Sequence, residues 1–194
     1  MTEIERWIER WQTGDERAAK ALYERFRAST YRLAYSLLGN AEDAEEATQD
    51  ALTYALTNIH RFDPTRATFS TWLHTITVSR SRDRHRRRRA PVISLTRWLD
   101  RGHEPRAGRP GPEHRALAQE TRREVWDALQ ALSPPLREAV VLRYWAGHTY
   151  REIADIMNCP VRTAQSRVRL AYKQLRTRLA PTALYHQMKE EELR

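Results

Sequence analysis

The residues best suited to chemistry fall in two cationic stretches and one acidic one, and none is arranged to make or break a covalent bond. Between Val161 and about Leu179 the chain carries Arg162, Arg167, Arg169, Lys173, Arg176 and Arg178 with no carboxylate among them. Thr163, Gln165 and Ser166 stand near the start of this stretch, where short polar side chains and arginine forks reach base edges. Val168, Ala171, Leu175 and Leu179 recur at helical spacing on the opposite side. One apolar stripe and one cationic face make a helix that fits a DNA major groove. Arg162, Thr163, Gln165, Ser166 and Arg167 are the base-reading candidates, and Arg169 and Lys173 the phosphate-gripping ones.

The preceding residues must position that helix. Ser133 with Pro134 and Pro135 has the composition of an N-cap and first helical positions, where a missing N–H is harmless. Leu136, Val140, Val141, Tyr144 and Trp145 follow as an apolar face, and Gly147 stops the helix. Thr149 and Glu152 are spaced as a capping box for a short helix, Tyr150 to Met157, with Ile153, Ala154 and Ile156 directed inward. Asn158, Cys159 and Pro160 then make the turn, and the whole reads as a helix-turn-helix.

The acidic stretch lies in Ala41 to His60. Ala44, Ala47, Ala51, Ala55 and Ile59 form its buried side, which leaves Asp43, Glu46, Gln49, Asp50 and Thr53 opposite. In a basic chain such a stripe suits protein docking, although ordinary helix solubility and negative charge near a helix N-terminus produce the same pattern. Next, Asp63-Pro64 sets a turn within Arg61 to Thr68, and Thr68 or Ser70 caps a helix containing Phe69, Trp72, Leu73, Ile76 and Val78. That helix ends in RSRDRHRRRR, seven arginines between Arg80 and Arg89, which cannot belong to a core. A flexible basic tail is one reading. A nucleic-acid patch fits better, because aromatics stand at the start of the helix that feeds it.

Earlier apolar stripes belong to helices Glu3 to Trp11 and about Asp15 to Leu38, the latter stopped by Gly39-Asn40. Residues 90–112 mix Pro, Gly and Arg and read as a linker, with Val92, Ile93, Leu95, Trp98 and Leu99 as a short docking segment. About Glu113 to Leu132 reads as one more helix, with Leu117, Val125, Leu129 and Leu132 packing inward. The expected fold is all-α, two small helical domains at 1–89 and 113–180 joined by a flexible linker, with a tail at 181–194.

Composition narrows the function class. The 194 residues carry a net charge of +9 and a pI near 10.2, mostly through arginine, which points to a polyanion and first to nucleic acid. Nothing approaches twenty consecutive apolar residues and the N-terminus is charged throughout, so neither a membrane span nor a signal peptide is expected and a cytoplasmic location is. One cysteine, Cys159, and histidines without ligand spacing point to no disulfide and no metal, and no Gly-rich phosphate loop implies a cofactor or small-molecule substrate.

Three motifs together resemble a known family. LSPPLREAVVLRYWAGHTYREIADIMNCPVRTAQSRVRLAYKQLR is similar to region four of bacterial RNA polymerase sigma factors, AEDAEEATQDAL to the region-two signature, and FSTWLHTITVSRSRDRHRRRR to the part of region two that melts and holds the minus-ten element. The resemblance covers about 15–90 and 113–178, and the missing extra modules match the small extracytoplasmic-function (ECF) type. It implies a non-enzymatic factor that binds core RNA polymerase and directs promoter-specific initiation. By that resemblance Asp43, Glu46, Gln49 and Asp50 contact polymerase. Asp63, Arg66, Phe69, Trp72, Arg80, Arg84 and Arg87 act on double- and single-stranded minus-ten DNA, and the Val161 helix reads the minus-thirty-five element. It also implies that an anti-sigma factor can mask these surfaces. Two alternatives stay open on residues alone. A stand-alone helix-turn-helix regulator would bind palindromic sites without polymerase, and a helical adaptor would bind DNA only non-specifically.

Overall fold

The computed structural model describes residues 2–89 and 122–179, and every regular element among them is helical. The linker residues 90–112, the beginning of the helix expected from Glu113 and the tail 181–194 lie outside the described residues. Helix α1 (Glu3–Gln12) opens on a capping box between Thr2 and Glu5. Asp15 caps α2 (Glu16–Leu38), and Gly39 ends it in the left-handed conformation at φ 71°. Asn40 caps α3 (Ala41–Thr57), whose end comes earlier than the sequence suggests because the chain tightens into a 3-10 turn at Ile59–Arg61. Thr68, rather than Ser70, accepts the amide of Thr71 and so caps α4 (Phe69–Arg89). Leu22, Phe26, Leu52, Ile59, Phe62, Phe69 and Leu73 fill the centre of this four-helix unit.

The second unit contains α5 (residues 122–130), α6 (Pro134–Val140), α7 (Tyr150–Met157) and α8 (Val161–Leu179). Ser133 occupies the N-cap position with Pro134 next, but its hydroxyl makes no capping bond. The box before α7 forms as expected: Glu152 N–H donates to Thr149 Oγ1 at 3.3 Å and Thr149 N–H to Glu152 Oε2 at 2.8 Å. Asn158 then takes a left-handed φ of 50°, which turns the chain into α8.

Two expectations fail at the end of α6. Tyr144 and Trp145, assigned to the core by their spacing, are 64% and 58% exposed. The cause is a π-helical turn at Val141–Trp145, in which Ala146 N–H donates to Val141 five residues back. The wider turn shifts the helical phase, so Leu142 is fully buried while the two aromatics swing out. Val125, also expected inward, is exposed on α5.

The two units are not held apart. Leu33, Leu37 and Val78 of the first share one apolar cluster with Leu129, Leu136, Leu142, Ile153 and Ile156 of the second. Polar contacts follow the same seam. Tyr35 stacks on Trp126 with ring centroids 4.6 Å apart, Arg82 pairs with Glu138 at 2.6 Å, and His74 Nδ1 lies 2.7 Å from His148 Nε2. At the end of α2, Gln130 donates to the Ser36 carbonyl and Arg137 to that of Leu37. A Cβ on Gly39 would stand 2.6 Å from Gln130 Oε1, so any other residue there would make the Gln130 side chain shift.

The shifted phase can be tested by thermal or denaturant unfolding. Leu142→Ala should cost about 2–5 kcal/mol as a buried truncation, whereas Trp145→Ala should cost under about 1 kcal/mol despite removing more atoms. The reverse order would show that α6 continues as a regular α-helix.

Candidate nucleic-acid interface

Helix α8 presents two faces fixed by its sequence. Ala164, Val168, Ala171, Leu175 and Leu179 are buried against the second unit's core. Arg162, Gln165, Ser166, Arg169 and Lys173 are exposed, and Thr163 and Arg167 are half-buried at the edge of that face. The exposed side is therefore the one the sequence indicates, with short polar side chains in the first two turns and cations beyond them. Nineteen residues make α8 about 28 Å long, enough to lie along a major groove. Sequence reasoning passed over Val161 and Leu170, which are also solvent-facing, 41% and 46% exposed. An apolar side chain on this face can meet a thymine methyl group.

The loop and helix of the first unit divide the other candidates. Asp63, Pro64, Thr65 and Arg66 are exposed in the turn before α4. Thr65 donates through both its hydroxyl, at 2.6 Å, and its amide, at 2.9 Å, to Asp63 Oδ1. These bonds, the side-chain one foremost, hold the Asp63 carboxyl below the usual carboxylate range and make the loop a defined rim. Phe69 does not stand on that rim. It is 4% exposed, with edge contacts to Phe26 and Phe62, so it supports the loop from below. Trp72 is half-buried against Phe62 and Phe69 and is the aromatic placed between core and surface.

Arginines expected to face DNA are partly occupied within the protein. Arg80 lies over the Tyr54 ring, 4.8 Å from its centroid. Arg84 pairs with Glu46 and, at 3.4 Å, with Asp50. Arg87 is exposed. The acidic and basic candidates of the first unit therefore meet: α4 lays a cation across the stripe of α3. Gln49 and Asp50 are exposed and Glu46 is half-buried, while Asp43 is 9% exposed, turned into the fold near the Asn40 cap. Asp43 accordingly offers a docking partner far less surface than its position on the helix suggested.

No grouping of three or more His, Cys, Asp or Glu among the described residues could hold a metal ion. No described helix is long and apolar enough to cross a membrane. Cys159 is a free thiol, half-buried in the turn before α8 against the second unit's core.

Comparison with known proteins matches both units. The Sigma-70 region 2 family matches residues 22–90, and the Sigma-70 region 4 family matches residues 122–175. RNA polymerase sigma-H factor of Pseudomonas aeruginosa is 30% identical over 179 residues, 90% of this chain and 92% of that protein. The ECF RNA polymerase sigma factor SigW of Bacillus subtilis is 29% identical over 181 residues, covering 91% and 96% respectively. Among solved structures, the sigma factor RpoE of Bartonella quintana, crystallised with the anti-sigma factor NepR, shares the fold at a TM-score of 0.64 and 24% identity, with 83% of this chain and 96% of that one covered. Two region matches in this order, carried by relatives aligned over nine-tenths of the chain, place the protein in the sigma-70 family of RNA polymerase sigma factors, within its ECF type.

Proposed function

We propose that the two units divide a promoter between them, α8 reading the minus-thirty-five element while the 63–69 loop and α4 hold the opened minus-ten element. The exposed, acid-free polar face of α8 is the single observation that carries this reading. Promoter-specific initiation is the role of this family, and a sigma factor is not an enzyme; bond-forming chemistry belongs to the polymerase. The domain division that suits the reading is 1–89 and 113–180, with 90–112 as connection and 181–194 as tail.

On α8, Arg162, Thr163, Gln165, Ser166 and Arg167 take the base-reading role and Arg169 and Lys173 the phosphate role. In the first unit, Asp63 and Arg66 form the rim that receives an extruded base, Trp72 offers a stacking surface, and Arg80, Arg84 and Arg87 supply cations for the separated strands. Phe69 contributes by holding Trp72 and the loop in place. Core polymerase docks on Glu46, Gln49 and Asp50, with Asp43 shaping the helix beneath them. Such a factor works in the cytoplasm, and an anti-sigma factor would silence it by covering these faces.

The packed arrangement has a geometric consequence for that role. Elements centred near minus ten and minus thirty-five lie about 25 base pairs apart, roughly 85 Å along B-DNA at about 3.4 Å per base pair. Units that share a core cannot span that distance. The 90–121 stretch is 32 residues long and reaches at most about 110 Å when extended. The chain therefore has the length to open, and promoter engagement requires that it does.

Two measurements test the reading. In salt-titrated binding to promoter DNA, Lys173→Ala should weaken affinity equally across sequences and lower the salt slope by about one, while Gln165→Ala should change which base is preferred. Identical behaviour of the two variants across sequences would remove the division of roles on α8. In gel filtration with core RNA polymerase, Glu46→Gln/Asp50→Asn should lose co-elution while unfolding within about 1 kcal/mol of wild type, because its ion pairs are exposed. Retained co-elution would move the docking face off α3.

A further inference from the structure

The seam between the units contains a histidine pair that neither DNA reading nor polymerase docking uses. His74, from the second turn of α4, and His148, just before α7, are 8% and 5% exposed. Their rings meet edge to face at 5.0 Å between centroids, and Nδ1 of His74 lies 2.7 Å from Nε2 of His148. At that distance one nitrogen donates to the other, so the contact holds a single shared proton, and when both rings are neutral one outer nitrogen, His74 Nε2 or His148 Nδ1, carries none.

We propose that His74 and His148 form a proton-sensitive clasp, which keeps the two units packed when both rings are neutral and releases them on acidification. An added proton has two places to go, His74 Nε2 or His148 Nδ1. The second faces the Glu152 carboxylate of α7, with Oε1 at 3.8 Å, and that same oxygen accepts from Thr71 of α4 at 3.3 Å. A first proton is thus partly compensated. A second leaves two imidazolium rings in contact within a dry seam, where neither charge can be hydrated.

The surroundings of the pair are defined on every side. His148 acts on the His74 ring and Glu152 on the His148 ring, while α2 and α3 also pack on α4. From the π-helical turn, Arg143 donates to the His148 carbonyl at 3.0 Å and lies over the Tyr150 ring, adding a positive charge nearby. Farther along the seam Arg82 and Glu138 compensate each other. Burial, followed by the neighbouring ring, pushes His74 from the ordinary imidazole value of 6.5 down to about 4. Burial also lowers His148, against the opposing pull of Glu152.

The direction follows by linkage. Rings held below their ordinary value in the packed state favour packing above about pH 6.5, and that contribution is lost progressively as pH falls towards 4. From His74 alone the ratio of opened to packed chains should rise about tenfold between pH 7.5 and 5.5. Opening separates the units and supplies the geometry that promoter engagement needs. That last consequence rests on the sigma reading, but the clasp itself does not.

The test uses the full chain without polymerase or DNA, so its outcome is independent of the proposed function. Small-angle X-ray scattering from pH 8 to 5 gives the radius of gyration, with far-ultraviolet circular dichroism to show that helicity is kept, and ¹⁵N-histidine NMR reports each ring. Wild type should expand below pH 6.5 with helicity unchanged, and His74 should titrate well below the ordinary imidazole value of 6.5. His74→Gln/His148→Gln should give a radius that does not change with pH, whether compact or extended. Expansion of that variant with the wild-type profile, or titration of His74 at the ordinary imidazole value in a chain that stays compact, would overturn the clasp. Should the variant lose helicity, the wild-type ring titration decides alone.

Discussion

A helix ends with carbonyls that have no partner of their own, and the packing of this protein is organised around one such end. The last turn of α2 stops at Gly39 against the second unit. Arg137, itself only 8% exposed, donates there to the Leu37 carbonyl while its other nitrogen serves the Gln130 and Leu132 carbonyls behind it. One guanidinium thus satisfies groups from both units, at the negative end of a 23-residue helix. Removing it would leave buried carbonyls unpaired, so the apolar cluster of Leu33, Leu37 and Val78 with the second unit depends on this polar contact.

The functional surfaces inherit their geometry from that packing. Helix α8 lies on the outer side of the second unit with its polar face free, because Val168, Ala171 and Leu175 take the inner side. Helix α4 has the opposite fate. Thr71, His74 and Arg82 along one side are committed to α6 and α7, while Arg80 and Arg84 are turned towards α3. A single helix therefore carries the arginine run, the seam and the link to the acidic stripe.

Most local structure was legible from the sequence because it depends on neighbours within one turn. The Thr149–Glu152 box, the Asp15 and Asn40 caps and the Gly39 stop are short-range hydrogen-bonding devices, and each stands near where its residues imply. The exposure of Tyr144 and Trp145 was not legible, since a π-helical turn alters the period on which the reading of that face relied. Nor was the seam. Its contacts join residues 56 to 100 positions apart, and threonine, histidine and arginine on α4 look like surface residues until α7 covers them. The exposure of the α8 side chains follows from their spacing because an isolated amphipathic helix has only two sides. The burial of Phe69 and Asp43 was not legible, because helical spacing gives a side chain's direction but not what lies above it.

On the proposed assignment of docking and DNA faces, the clip between Arg84 and the Glu46–Asp50 stripe makes the two faces of the first unit thermodynamically interdependent. A ligand that takes the carboxylates releases a guanidinium beside the arginine run, and a phosphate that takes the guanidinium uncovers the carboxylates. Each ligand thereby raises the protein's affinity for the other by the same factor, as reciprocity requires. With the carboxylates about half exposed, the free energy exchanged is within about 1 kcal/mol, no more than about fivefold in binding. On that assignment, occupancy of one face reaches the other through a single shared side chain.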